Sequence, residues 1–286
     1  MTILVTGSTG NIGSKIVDGL SATGASTRAA VRDAAKAKFS ANVEVVTADM
    51  RDVNAMRAAL TGVKTLFLLN VVTPDELTQA LLTLNVAKDS GVQDVVYLSV
   101  LHSDIYANVP HFAAKYATER ALESLGFGAT VLRPAYFMDN DLAQRESLLN
   151  DGRYLMPVGQ IGLSMIHTND IAAIAVSELL RRHGSATPLP SKILNLVGPD
   201  LLTGADLAAI WSRVLDRPIQ YGGDDLDPFE RGYRNFMPAW QAYDMRLMAA
   251  RFHTDGMVAE PGDLDRLENM LGRKLTTYAQ FASQIS

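Results

Sequence analysis

Three glycines spaced Gly7-x-x-Gly10-x-x-Gly13 sit in the string Val5-Thr6-Gly7-Ser8-Thr9-Gly10-Asn11-Ile12-Gly13, between an apolar run and a segment of helical spacing. Residues of this kind at this place suit the pyrophosphate of a dinucleotide. Gly7 permits the tight strand-to-helix turn, Gly10 lets backbone approach phosphate, and Gly13 lets helix and strand pack closely. The anion would rest on the N–H groups of Asn11, Ile12 and the neighbouring Thr9, at a helix N-terminus whose macrodipole favours negative charge. Arg32 stands where an NAD-specific protein carries an acid for the ribose 2′-hydroxyl. Its guanidinium, with Lys36 one helical turn on, suits a 2′-phosphate, so NADP(H) is the preferred cofactor. NAD(H) is the alternative, because the adjacent Asp33 offers the acid.

The elements that must position these groups follow from periodicity. From residue 1 to about 135, short apolar runs alternate with helical patterns, which implies right-handed βαβ units and a parallel sheet. Strands are expected at Ile3–Thr6, Arg28–Val31, Val43–Thr47, Thr65–Leu69, Val95–Leu98 and Ala129–Leu132, with helices near 11–23, 33–38, 52–60, 75–90 and 111–125. Two later strands, Ser164–His167 and Ile193–Val197, flank a helix over about 169–183 and are expected to complete the sheet. The fold class is therefore α/β: a Rossmann-type doubly wound parallel sheet with a smaller, mainly helical C-terminal substrate lobe. Residues 1–136, with 164–183 and 192–199, form the nucleotide-binding domain, and 137–163 with 200–286 the substrate lobe. Open sheets of this kind bind ligands along the carboxyl ends of their strands. That edge carries Asp49 and Met50, where the adenine would lie, then Leu69 and Asn70, then Ser99 and Val100.

His111 and Lys115 lie one turn apart on the same helical face, after the fifth strand. One reading makes Lys115 a holder of the nicotinamide ribose and His111 a catalytic acid. The other makes Lys115 half of a surface i,i+4 ion pair with Glu119 and His111 an ordinary first-turn residue. In the C-terminal part, Phe229, Tyr233, Phe236, Trp240 and Tyr243 step by four, three, four and three, as on one helical face, with Pro238 interrupting or kinking the helix. These rings are either the core of a small lobe or a wall for a planar aromatic substrate.

The chain resembles the NmrA-like branch of the atypical short-chain dehydrogenase/reductase (SDR) proteins, nearly end to end. The resemblance rests on the glycine string, Val31-Arg32-Asp33, the stretch from His111 to Glu119, and Val131-Leu132-Arg133-Pro134-Ala135-Tyr136-Phe137-Met138-Asp139-Asn140. It also rests on Ile166-His167-Thr168-Asn169-Asp170-Ile171-Ala172 and the closing Leu271-Gly272-Arg273-Lys274-Leu275-Thr276-Thr277. Proteins of that branch include NADPH-dependent quinone reductases, triphenylmethane-type dye reductases and non-catalytic NADP sensors. The resemblance implies a nicotinamide passing Pro134, Ala135, Tyr136 and Phe137, and a C-terminal lobe closing over substrate. Asp170 is equally a helix cap on this reading.

Ordinary SDR chemistry uses Y-x-x-x-K, but none of the nine tyrosines here has Lys four residues later. Reduction of a simple ketone gives an alkoxide that needs a placed acid, whereas a reduced quinone is phenolate-like, with a conjugate acid of pKa about 10. The missing phenol therefore fits a conjugated aromatic acceptor, with Tyr136, Phe137, Phe236 and Trp240 as its expected contacts. Such an acceptor is compatible with a place in aromatic secondary metabolism. The alternative function is a non-catalytic NADP(H)-binding redox sensor.

Composition narrows the partners. A net charge of −5 disfavours nucleic acid, zero cysteines remove disulfides and thiolate chemistry, and five scattered His give no metal pattern. No apolar run suits a membrane span, and a strand starting by Thr2 or Ile3 leaves no room for a signal peptide. A cytoplasmic monomer or homodimer acting on a small aromatic molecule is expected.

Overall fold

Apolar side chains on both faces make the N-terminal strands central ones. Ile3, Leu4 and Val5 are wholly buried, the composition of a parallel strand covered on both sides. The computed structural model describes residues 1–284. In it β1 (Thr2–Val5), β2 (Thr27–Val31), β3 (Val43–Thr47), β4 (Val63–Leu68), β5 (Asp94–Leu98) and β6 (Gly128–Pro134) pair in parallel. Their order is β3-β2-β1-β4-β5-β6, and a later strand, Lys192–Leu196, joins beyond β6. The reversal between β1 and β4 opens the crevice where such sheets bind nucleotides.

Helices α1 (Asn11–Ala22), α2 (Val53–Leu60), α3 (Glu76–Asp89) and α4 (Pro110–Ser124) connect these strands. Helix α1 buries Ile12, Ile16, Val17 and Leu20, the stripe expected from its sequence. Helix α5 (Thr168–Gly184) carries Arg182, which has no exposed surface. Its guanidinium meets Asp94 Oδ1 at 2.9 Å, Thr130 Oγ1 at 2.7 Å and the carbonyls of Leu189 and Pro190. That charge clamps α5 to the amino-terminal ends of β5 and β6, at the opposite end of those strands from the ligand edge.

Packing separates the chain into two units. The first holds Met1–Ser103, Ala113–Arg133 and Ile171–Leu194; the second holds Asp104–Phe112, Pro134–Asp170 and the chain from Asn195 onward. Helices α4 and α5 and strand β6 each run from one unit into the other, so the division falls inside elements and not in linkers.

The second unit has a two-residue parallel ribbon, β7 (Arg153–Tyr154) with β9 (Gln220–Tyr221), the strand Lys192–Leu196 being β8. Around it lie α6 (Gly204–Val214), α7 (Leu226–Tyr233), α8 (Ala239–Thr254), α9 (Asp263–Leu271) and α10 (Tyr278–Ser283). Its interior is knit by Asp141, which accepts from Tyr154 at 2.9 Å and from Tyr278 at 2.5 Å, while Trp211 donates to the Tyr278 hydroxyl at 3.0 Å.

Three local expectations are corrected. The strand expected at Ser164–His167 is not part of the sheet; it makes only isolated bridges, Phe137 with Ile166 and Leu163 with Leu202 and Met257. Its neighbours are separate loops, so no ladder propagates, and only β8 completes the sheet. The helix expected over 33–38 is a three-residue 3-10 turn, Ala34–Lys36, capped by Asp33. The aromatic series does not share one helix either. Helix α7 stops at Tyr233, and Pro238, which lacks an N–H, serves as the N-cap of α8.

Candidate functional site

The turn after β1 is built by two steric demands. Gly7 has φ of +61°, and a Cβ there would sit 2.5 Å from the Leu69 side chain. A Cβ on Gly13 would lie 2.1 Å from the Gly7 carbonyl oxygen, so α1 passes directly over the turn. Thr6 and Ser8 anchor the loop inward: the Leu69 N–H donates to Thr6 Oγ1 at 2.8 Å, and Ser8 Oγ donates to the Ala30 carbonyl at 2.6 Å. Gly10 is the extended N-cap of α1 and, having no side chain, makes no cap hydrogen bond of its own. Thr9, Gly10 and Asn11 are exposed. An exposed glycine turn leading straight into a helix N-terminus is the arrangement that receives a pyrophosphate. Ile12 has a buried side chain.

Beside that turn, at the end of β2, the side chains of Arg32 and Lys36 are exposed and make no hydrogen bond or ion pair among the described residues. Asp33 is engaged instead, accepting from the Ala35 N–H at 3.0 Å. Asp49 forms a two-point ion pair with Arg51, at 2.7 and 3.0 Å. Those hydrogen bonds, with a smaller contribution from the Arg32 charge, hold its carboxyl down at about 2. Asn70 is buried, with its amide nitrogen 3.8 Å from Met50 Sδ and its Oδ1 without a partner. An exposed glycine turn at a helix N-terminus, two unpaired cations and an orphaned amide oxygen along one strand edge fit a phosphorylated dinucleotide.

Lys115 is buried, and it does not make the surface pair with Glu119. Its Nζ meets Glu76 Oε1, itself 4% exposed, at 2.5 Å. Glu119 is engaged by Arg133 at 2.6 and 3.0 Å, and by the hydroxyls of Ser99 at 2.5 Å and Ser103 at 3.0 Å. Ser99 thus turns its hydroxyl onto a carboxylate, and Val100 beside it is half-buried.

Within the second unit, His111 Nδ1 meets Asp244 Oδ2 at 2.7 Å, both side chains being buried. Tyr136 directs its hydroxyl to Met156 Sδ at 3.7 Å and packs edge-on against Phe252, and burial pushes its phenol well above the usual value. Ala135, after Pro134, donates to the Leu196 carbonyl, and Phe137 bridges Ile166. A cavity of about 380 Å³ lies in this unit. Phe236, 71% exposed, lines it together with Tyr233 and Phe229; Trp240, Tyr136 and Phe137 do not.

Asp170 is not a cap. Its carboxylate accepts from Arg273 at 2.6 Å and from the Thr276 N–H at 2.9 Å, so the Asn169-Asp170 segment and the closing Arg273–Thr277 motif meet in space. Asp139 similarly holds Thr168, at 2.5 and 3.0 Å.

Glu76 and Asp244 were missed in the sequence. Glu76 reads there as an ordinary first-turn acid complementing the macrodipole of α3. Asp244 lies 133 residues from its partner, in a helix whose pattern gives no sign of a buried charge.

Fold and edge together define a Rossmann-type protein shaped to receive a dinucleotide. The model of the NmrA-like family matches residues 1–282, and the chain belongs to that family. It is 30% identical over 283 residues to an NAD(P)H azoreductase of Xenophilus azovorans, covering 98% of this chain and 96% of that one. The crystal structure of an NADPH-dependent quinone oxidoreductase from Escherichia coli, complexed with NADPH, superposes with a TM-score of 0.87 at 25% identity, covering 99% of each chain. The fold is shared as well with the triphenylmethane reductase of Citrobacter sp., at a TM-score of 0.85, 22% identity and 99% of each chain. No helix among the described residues is long and apolar enough to cross a membrane.

Proposed function

We propose that this NAD(P)H-dependent oxidoreductase uses NADPH to reduce a quinone or a similarly conjugated aromatic acceptor. The observation that carries the cofactor choice is the end of β2, where Arg32 and Lys36 are unpaired while Asp33 is occupied as a cap. The relatives support the same choice: one is called an NAD(P)H azoreductase, and another was solved with NADPH.

When bound, NADPH supplies a hydride equivalent. The chain's own part is to bind, orient and protonate. The N–H groups at the start of α1 hold phosphate, and Arg32 with Lys36 holds the 2′-phosphate. Lys115, fixed by Glu76, donates to ribose hydroxyls. His111 Nδ1 is held by Asp244, which leaves Nε2 as the nitrogen that, with the ring doubly protonated, would give a proton to the reduced acceptor. Since that anion is phenolate-like, its protonation demands less of the protein than an alkoxide does, consistent with the absence of a Tyr-x-x-x-Lys pair. Holding the acceptor in place supplies most of the rate.

Purified protein mixed with NADPH and a panel of quinones tests the reading by loss of nicotinamide absorbance. Turnover with several quinones, faster with NADPH than with NADH, is expected. Tight NADPH binding with no consumption by any acceptor would overturn it in favour of a sensor.

A further inference from the structure

Among the described residues, His102 and Asp216 are the two that take a positive φ without being glycine, at +62° and +48°. Asp216 directly follows the C-cap of α6, a place where a short polar residue tolerates that conformation. His102 has no such reason. It is the third residue of the turn Val100–Ser103, closed by the Ser103 N–H on the Val100 carbonyl at 3.3 Å, and turns that need a positive φ there usually use glycine or asparagine. An imidazole-bearing residue at that position costs backbone strain, which persists only where surrounding contacts fix it.

Those contacts converge on one carboxylate. Glu119 Oε1 accepts from Ser99 Oγ at 2.5 Å, before the turn, and from Ser103 Oγ at 3.0 Å, at its end. Glu119 is buried and is itself held by Arg133 on β6 at 2.6 and 3.0 Å. Ser99, Leu101 and Ser103 are all buried, whereas His102 between them is half-buried. A buried charge network thus fixes a strained turn that keeps an imidazole at the surface, at the carboxyl end of β5.

Which part of a dinucleotide reaches that end follows from the place of the 2′-phosphate. Arg32 and Lys36 lie at the end of β2, on the β3-β2-β1 side of the crevice, so the adenosine half lies there and the pyrophosphate crosses at the start of α1. The second nucleotide then extends over the carboxyl ends of β4 and β5.

We infer that His102 contacts the nicotinamide nucleotide of NADPH, its imidazole N–H donating to an oxygen of that nucleotide, and that Glu119 is the positioning residue that holds the turn for it. The strain at His102 is then offset by what the imidazole does for the ligand. This inference rests on the NADPH reading, and it adds a contact on the half of the cofactor that Arg32 does not reach.

Calorimetry with three ligands tests it: NADPH, 2′-phospho-ADP-ribose, which lacks the nicotinamide ring, and adenosine 2′,5′-bisphosphate, which lacks the whole second nucleotide. His102→Gly and His102→Asn both suit a positive φ and both lack the imidazole. Each should weaken NADPH about tenfold, the loss of one hydrogen bond, and leave adenosine 2′,5′-bisphosphate unchanged. The urea midpoint of His102→Gly should stay at or above that of the wild type, since the strain is relieved. A loss shared by 2′-phospho-ADP-ribose puts the contact on the second ribose or its phosphate; a loss confined to NADPH puts it on the nicotinamide. Glu119→Gln should show the same ligand-selective loss in the wild type and no further loss in the His102→Gly background, a coupling that a merely structural role would not produce. Additive losses would overturn the positioning role. Equal losses for all three ligands in the His102 variants, or no loss for any, would overturn the contact and leave the NADPH reading intact. A wild-type protein that binds no NADPH would end both.

Discussion

At the carboxyl ends of β1 and β2, an exposed glycine turn stands beside two cations whose side chains have no protein partner among the described residues, Arg32 and Lys36. In the second unit, by contrast, Asp139, Asp141, Asp170 and Asp244 all turn inward, each bonded to side chains or backbone of the same unit. The first arrangement is scarcely stabilising by itself and is completed by a ligand; the second ties irregular loops where few strands exist to do so. Unfulfilled polar groups therefore mark ligand surfaces better than charge density does.

Lys115 is the sharpest challenge to that contrast, since it lies near the ligand edge yet is paired internally with Glu76. Lys115→Met leaves Glu76 as an uncompensated buried carboxylate, which should cost about 3–5 kcal/mol, read as a lowered urea midpoint, together with loss of turnover. The double variant Lys115→Met/Glu76→Gln should recover most of the stability and none of the turnover. Recovered turnover would make the pair scaffold, like Arg182 with Asp94, and would break the comparison.

A smaller effect tests the open cations directly. Arg32→Ala should weaken NADPH binding by about tenfold to a hundredfold and leave NADH unchanged, because one or more charge-assisted bonds of about 1.5–3 kcal/mol are lost. Asp33→Ala removes only a turn cap and should change both affinities little. Calorimetry on the two variants settles the assignment; equal losses of both cofactors in Arg32→Ala remove that residue from the phosphate.

The contrast also explains what was legible in the sequence. The glycine turn, Arg32 and four of the five N-terminal connections were readable because local spacing fixes them: the Gly13 approach to Gly7 is a six-residue matter, and buried parallel strands are short apolar runs. His111 and Lys115 were readable as one helical face. Their partners Glu76 and Asp244 were not, since pairing across 39 and 133 residues leaves no periodic trace. Nor did the local pattern favour the actual partner of Glu119, which bonds Arg133 on β6 in place of Lys115 one turn away. The strand expected at Ser164–His167 shows the converse: a short apolar run specifies burial, but a ladder needs a neighbour of matching length. The split of the aromatic series at Pro238 followed from the proline, whereas the exposure of Phe236 and Trp240 did not.

The smallest expected effect concerns the inward carboxylates and is a function of pH. Burial raises the Asp141 carboxyl from 3.8 to about 6, against the opposing hydrogen bonds from Tyr278, Tyr154 and Gln144. A folded-state pKa above the unfolded one means that the native protein binds the proton more tightly. The resulting stabilisation is complete below about 3.8 and is lost as pH rises through about 6. Between pH 7 and pH 5 the fold should gain about 1 kcal/mol from this group. Asp49, held at about 2 by Arg51, has the opposite sign and titrates well below that window. The difference between wild type and Asp141→Asn isolates the effect, because every other titrating group is common to both. Denaturant midpoints measured from pH 7 to pH 5 should rise for the wild type relative to Asp141→Asn. Parallel profiles would mean that Asp141 stays ionised between its two tyrosines, and that the inward carboxylates are as fully charged as those on the open edge.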